Sequence, residues 1–160
     1  MLDFSIFAGC SVFAGDKDID EFIFKDAQRH YEHRMAVTYA LSIPPDTQII
    51  AVATLQNDAI RLGEKGFDGF PYKAFPAVKI GRLGVLREFQ NHGIGSALIE
   101  IIIQFMCSAN RTGCRFVTLD AYNNERVLSF YKKNNFLRLE SKSKRQGRLT
   151  VPMYRDLLRG

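Results

Sequence analysis

Residues 86–105 read LREFQNHGIGSALIEIIIQF. Gln90, Asn91 and His92 lead into two glycines one residue apart, Gly93 and Gly95, and an apolar helical pattern starts at once. Ser96, Glu100, Gln104 and Ser108 recur every four residues. They predict a helix from about Gly93 to Ala109, apolar except for one narrow edge in water. Just upstream, KIGRLGVL (79–86) is mostly apolar and reads as a strand. A strand that ends in a loop and opens a helix leaves unpartnered N–H groups at the helix start. With the helix dipole, those groups attract anions, phosphates above all. Glycine permits the φ > 0 turn that converges successive N–H groups, and it lets a phosphate approach the backbone. Gln90, Asn91, His92, Gly93, Ile94 and Gly95 are therefore a candidate pyrophosphate cradle.

Two rival phosphate motifs fail. The chain has no GK[ST] to open a Walker-type helix. A dinucleotide fingerprint needs glycine at position 98, where Leu98 stands, and a first glycine directly after the strand, where REFQNH intervenes. On the motif alone, the alternative is a helix start with glycines placed for packing.

Working outward, DIDEFIFKDAQRHY (18–31) places Ile19, Phe22, Ile23, Ala27, His30 and Tyr31 at helical spacing. Asp18 and Asp20 suit the positive end of that helix. MAVTYALSI and TQIIAVATLQ, joined by PPD, predict an antiparallel strand pair over 35–56. In RLGEKGFDGFPYKAFPA (61–77), glycine, proline and charge break every period, yet Phe67, Phe70, Tyr72 and Phe75 are all there. This is a loop pinned to the core by its aromatics or a substrate-facing flap. RFVTLDAY (115–122) is a buried strand, NNERVLSFYKKNN (123–135) a second helix, and FLRLESK with RLTVPMYRDL a closing hairpin turned near Gln146 and Gly147. The order αββ, loop, β-α-β-α-ββ predicts one α/β domain over 1–160, built on a single mixed sheet.

The 160 residues are 46% hydrophobic and 24% charged, enough apolar matter for one real core. No apolar run is long enough to span a bilayer, and the first residues lack the basic start of a signal peptide, so a cytoplasmic protein without a membrane partner is expected. Cys10, Cys107 and Cys114 have no metal or redox spacing and read as buried free thiols. His30, His33 and His92 lack partners at metal spacing, so no metal is expected. The net charge of +5 favours an anionic partner. Basic clusters stand at Lys142, Lys144, Arg145 and Arg148, and at Arg29, His30, His33 and Arg34. They read as a solvated surface or as contacts to the phosphates of an RNA-sized polyanion.

The Gln-x-x-Gly-x-Gly of Gln90, Gly93 and Gly95, between a central strand and a long helix, resembles the acyl-CoA signature of the GNAT acetyltransferase superfamily. Downstream, NERVLSFYKKNNF resembles that family's second motif, with Asn124, Phe130, Tyr131 and Phe136 in register. The likeness covers roughly residues 35–156. Val127 stands where the motif has a small residue, and Asn135 where it has glycine. Asparagine tolerates a left-handed turn, so the turn is expected to survive.

The resemblance implies a mixed, mostly antiparallel sheet of six to seven strands, flanked by helices, whose central parallel strands splay apart. Acetyl-CoA would be the cosubstrate and a primary amine the acceptor. Pantetheine would pair with backbone at Leu83 and Val85, and the pyrophosphate would sit on residues 90–96. Tyr131 would be the acid for the departing thiolate, and Asn124 would hold the cofactor or orient a water. A backbone N–H near Val85 would polarise the carbonyl. Glu88 and Asp120 are the candidate bases by position. The order DIDEFIFKDAQRHYE…VTYALS…IIAVATLQND ahead of the motifs looks like the GNAT toxins of toxin–antitoxin pairs, which implies aminoacyl-tRNA as acceptor and a small antitoxin as partner. A non-catalytic module binding CoA or nucleic acid is the alternative from another class. Homodimerisation through the aromatic loop or the final hairpin stays open.

Overall fold

The computed structural model describes residues 13–43, 48–62, 67–108, 113–139 and 149–159. Helix α1 (Lys17–Glu21) passes through a π turn (Phe22–Asp26) into α2 (Ala27–Glu32). Strands β1 (Val37–Ser42), β2 (Ile49–Ile60) and β3 (Phe75–Val85) follow, then a 3-10 turn (Arg87–Phe89) and α3 (Ile94–Ser108). β4 (Phe116–Tyr122), α4 (Glu125–Lys133), β5 (Leu137–Arg138) and β6 (Thr150–Asp156) complete the chain. The six strands form one sheet in the order β1-β2-β3-β4-β6-β5, mostly antiparallel with one parallel pair, flanked by helices. The sheet class expected from the resemblance is the one observed.

The chain divides into two compact units. One comprises residues 1–56 and 80–102, the other residues 57–79 and 103–160. In the first, Phe13, Ala14, Ile23 and Val52 make a buried cluster joined by Ile19, Phe24, Ile49 and Leu86. Gly84 is what lets the N-terminal helix seat there: a Cβ at this position would lie 2.8 Å from Ile19 Cγ2. Asp16 caps α1, its Oδ1 accepting the N–H groups of Asp18 (3.0 Å) and Ile19 (3.2 Å). The helix expected over 18–31 is thus one residue longer at each end and carries a π turn that its apolar spacing did not announce. Tyr31, placed on its inner face by that spacing, is exposed.

In the second unit, Ile60, Leu62, Phe75, Ala77 and Phe116 are buried together, with Phe67, Leu139 and Tyr154 packed against them. β4 pairs antiparallel with β6 from Phe116↔Asp156 to Tyr122↔Thr150, and β5 adds Leu137↔Tyr154 and Arg138↔Met153. This is the expected closing hairpin; its turn, with the basic stretch Lys142, Lys144, Arg145 and Arg148, lies outside the described residues.

The irregular stretch expected over 61–77 is shorter. β2 runs on to Ile60 and β3 already starts at Phe75. Phe67 and Phe70 exchange two backbone hydrogen bonds of 3.0 Å around Asp68 and Gly69, both at positive φ. Of the four aromatics, Phe67 and Phe75 pack edge-on to Phe116 and Phe70 stacks on Tyr72 in solvent. Arg115 braces this turn. It makes a bidentate pair with Asp156 (2.7 and 2.9 Å), reaches Asp68 (2.9 Å) and lies over the Phe67 ring. Cys114 is buried, and burial pushes its thiol up; Cys107, expected to be buried, is exposed. No helix among the described residues is long and apolar enough to cross a membrane.

Candidate active-site elements

The first unit carries the strand, loop and helix start predicted as a cradle. Leu86 N–H donates to Ile50 O of β2 (2.8 Å). Alternation along the strand therefore turns the backbone groups of Leu83 and Val85 away from β2, and both residues are half-exposed. After the 3-10 turn the backbone enters left-handed φ twice, at Asn91 (63°) and at Gly93 (80°). Asparagine and glycine are the residues that bear this conformation at least cost. No atom lies within 4 Å of where a Cβ on Gly93 would stand, so conformation, not crowding, calls for glycine there.

The first bond of α3 runs from Ala97 N–H to Gly93 O (3.0 Å). The N–H groups of Gly93, Ile94, Gly95 and Ser96 thus precede the helical ladder and end on the positive pole of a fifteen-residue helix. Asn91, His92 and Gly93 are exposed; Ile94, Gly95 and Ser96 are half-buried. The structure brings all these predicted residues into one continuous segment.

Gln90 behaves differently from its neighbours. Its Nε2 donates to Ala14 O (2.8 Å) and to Val85 O (3.1 Å). The side chain is committed to the protein. Asp20, read from sequence as a dipole partner at a helix start, is buried and accepts the N–H groups of Ala14 (2.7 Å) and Gly15 (3.1 Å). Sequence reasoning missed it because an acid in a first helical turn is ordinarily exposed. The one available signal was its place between Ile19 and Ile23, both inward.

The second unit carries the other motif. Asn124 is the N-cap of α4, its Oδ1 accepting Val127 N–H (2.9 Å). That leaves the side-chain NH2 as a donor. Tyr131 lies in the last turn of α4. Its ring meets Phe130 at 5.0 Å and Phe136 at 5.7 Å between centroids, both edge-on. Burial pushes its phenol up to about 12, and the hydroxyl makes no hydrogen bond among the described residues. A phenol in this state keeps its proton across the neutral range. Asn135 takes φ 63°, so the left-handed turn expected of it is present.

The two candidate bases are both engaged. Asp120 pairs with Lys79 Nζ (2.5 Å), and Glu88 accepts Gln48 Nε2 (3.1 Å) in the open. Asp58, in the exposed part of β2, takes a hydrogen bond from the Thr118 hydroxyl (2.5 Å). His30 lies edge-on to Phe22, and His33 Nδ1 is 2.9 Å from Arg29 O. Among the described residues, no three His, Cys, Asp or Glu side chains gather as metal ligands.

No curated protein matches the chain. Among solved structures, a tyrosine-to-phenylalanine mutant of KacT is similar with a TM-score of 0.80 at 17% identity, covering 99% of this chain and 94% of that one. AtaT complexed with acetyl-methionyl-tRNAfMet gives 0.78 at 22% identity, covering 98% and 89%. An AtaT mutant toxin bound to the C-terminus of the antitoxin AtaR and acetyl-CoA gives 0.73 at 21%, covering 92% and 84%. At such identities the likeness is one of fold. The model of the acetyltransferase (GNAT) domain matches residues 46–138, which include the cradle, β4 and α4. With more than half of its length matched, this chain belongs to the GNAT acetyltransferase family.

Proposed function

We propose that this N-acetyltransferase moves the acetyl group of acetyl-CoA to the α-amine of aminoacyl-tRNA in the cytoplasm, as a toxin held in check by a small antitoxin. The observation that carries the cofactor half is the open N-terminus of α3 behind two left-handed residues, Asn91 and Gly93. Within residues 90–96, the backbone N–H groups of Gly93, Ile94, Gly95 and Ser96 would bind the pyrophosphate, since Gln90 N–H already donates to Arg87 O. Leu83 and Val85 would pair with pantetheine along the β3 edge, using chiefly the Val85 N–H, since the Val85 carbonyl already accepts from Gln90. Asn124 would donate through its side-chain NH2. What supports the acceptor half is the likeness in fold to AtaT and KacT over nearly the whole chain, together with the net charge of +5.

The neutral amine attacks the thioester carbonyl carbon, and the carbonyl oxygen takes up negative charge. The C–S bond then breaks, Tyr131 gives its proton to the departing thiolate, and the new amide nitrogen loses its extra proton to water. A phenol is a weaker acid than a thiol by roughly 1.5 units in water. The transfer therefore runs downhill from an alkaline phenol only if the thiolate is desolvated as well, and a buried phenol ring provides such surroundings.

Incubation with labelled acetyl-CoA and either charged tRNA, uncharged tRNA, free amino acids or peptides tests the acceptor. Label is expected on the aminoacyl end of charged tRNA, with a steep loss of rate as salt rises. Label on peptides or free amines with none on charged tRNA would contradict the toxin reading and leave the acetyltransferase intact.

A further inference from the structure

The hydrogen bonds of Gln90 say what its position at the entry to the loop demands. Both atoms facing the Gln90 amide are carbonyl oxygens, Ala14 O and Val85 O, so the nitrogen must point at them and both of its hydrogens are used. The position requires a donor and excludes an acceptor. Arginine satisfies that requirement and glutamate inverts it.

The bond to Ala14 O ties the cradle loop to residues 13–16. Arg87 N–H adds a second tie, to Phe13 O (3.0 Å). The same short segment is held from its other side by the buried Asp20 carboxylate on Ala14 and Gly15 N–H. Asp20 sits in α1, one residue after Ile19, which fills the space left by Gly84 just before the end of β3. Segment 13–16 is thus clamped between the N-terminal helix and the loop that starts the cradle. The ties are short, those of Gln90 and Asp20 are buried or partly buried, and they fall on opposite edges of the same peptide groups.

We propose that Gln90 and Asp20 are positioning residues that make the acetyl-CoA cradle and the N-terminal helix one coupled element. The inference rests on reading residues 90–96 as the cofactor loop. Ordering the loop around acetyl-CoA tightens the clamp, and loosening the clamp weakens acetyl-CoA in equal measure, since linkage is reciprocal. The effect falls on cofactor affinity; the reacting groups on α4 are untouched.

The test combines calorimetric titration of acetyl-CoA with hydrogen exchange over residues 13–20, for the wild type, Gln90→Arg, Gln90→Glu, Asp20→Asn and Gln90→Glu/Asp20→Asn. Gln90→Arg is expected to bind within about threefold of the wild type. Gln90→Glu and Asp20→Asn are each expected to weaken binding about tenfold, and the double variant by little more than either alone, because each opens the same clamp. KM for acetyl-CoA rises in step while kcat at saturation changes less than twofold, a split that general loss of folded protein does not produce. Acetyl-CoA should slow exchange over 13–20 in the wild type and fail to do so in Gln90→Glu. Wild-type affinity and wild-type exchange in Gln90→Glu would overturn the proposal, as would equal weakening in Gln90→Arg and Gln90→Glu. A folded wild type that does not bind acetyl-CoA would instead overturn the cofactor reading. Exchange in the ligand-free proteins would then decide the clamp: faster exchange over 13–20 in Gln90→Glu supports it, and unchanged exchange refutes it.

Discussion

Phe136 N–H donates to Tyr131 O at 3.0 Å, and the two rings meet edge-on with centroids 5.7 Å apart. Asn135 N–H donates to Lys132 O (3.1 Å) from φ 63° between them. These two bonds and the ring contact make a complete Schellman ending for α4. The turn that stops the helix also fixes the backbone of the proposed acid and supplies one wall of its burial, since Phe136 is itself fully buried.

Asn135→Gly should therefore keep the turn and relieve its left-handed strain, raising stability by up to about 0.5–1 kcal/mol. Asn135→Ala, with a side chain that tolerates the turn less well, should cost about 1 kcal/mol, or a few degrees of thermal midpoint. Thermal unfolding of both variants checks this. Equal midpoints for the two would remove the conformational argument.

Gly93→Ala should fold almost normally, because the new Cβ meets nothing within 4 Å, at a cost of about 1 kcal/mol for placing alanine at φ 80°. Acetyl-CoA affinity should fall about tenfold or more. Gly93→Asn separates the two causes by calorimetry. Asparagine bears the left-handed backbone, so recovered affinity would point to conformation and lost affinity to the space that the phosphate needs.

Burial that raises Tyr131 to about 12 fixes a sign for pH. The folded state holds this proton more tightly than the unfolded chain, whose phenol titrates near ~10. The stability linked to it is complete below pH ~10 and is lost as pH rises through about 12. The kcat profile should accordingly show no descending alkaline limb from Tyr131 below pH ~10. A limb near pH 8 that vanishes in Tyr131→Phe would show a much more acidic phenol and contradict this assignment.

Arg115 holds the Asp156 carboxyl below the usual carboxylate range, chiefly through its hydrogen bonds. The stability linked to Asp156 is thus present above pH ~4 and lost as pH falls through its depressed folded value. Arg115→Ala leaves the Asp156 carboxylate to Leu158 N–H and Arg159 alone and removes the main brace of the 67–70 turn, at a cost of about 1–3 kcal/mol. Urea unfolding from pH 2 to 7 should show that loss at neutral pH and a shallower acid limb in the variant.

Much of the candidate site could be read from the chain, because its signals are local. A strand, a glycine pair and a helix start lie within twenty residues, and the second motif spans one helix with its cap and its stop. Most of what escaped depends on partners distant in sequence. The strand pair expected over 35–56 stops short of Asn57, Asp58 and Ala59, yet β2 runs through them to Ile60. Pro76 hides the start of β3; it sits at the second strand position, donates nothing, and uses its carbonyl to accept Arg115 N–H (3.1 Å). Gln90 was legible as a motif residue but not as a tie, since Ala14 stands 76 positions away. Asp20 was legible as an acid but not as a buried acceptor: its partners, Ala14 and Gly15, are near in sequence, but an acid in a first helical turn ordinarily faces water.

The most direct measurement is rapid-quench acetyl transfer by Tyr131→Phe at saturating acetyl-CoA, beside calorimetric binding of the cofactor to the same protein. The account predicts near-wild-type binding with chemistry slowed about 10²- to 10⁴-fold, the range for loss of a general acid. Wild-type chemistry in a folded Tyr131→Phe would contradict it.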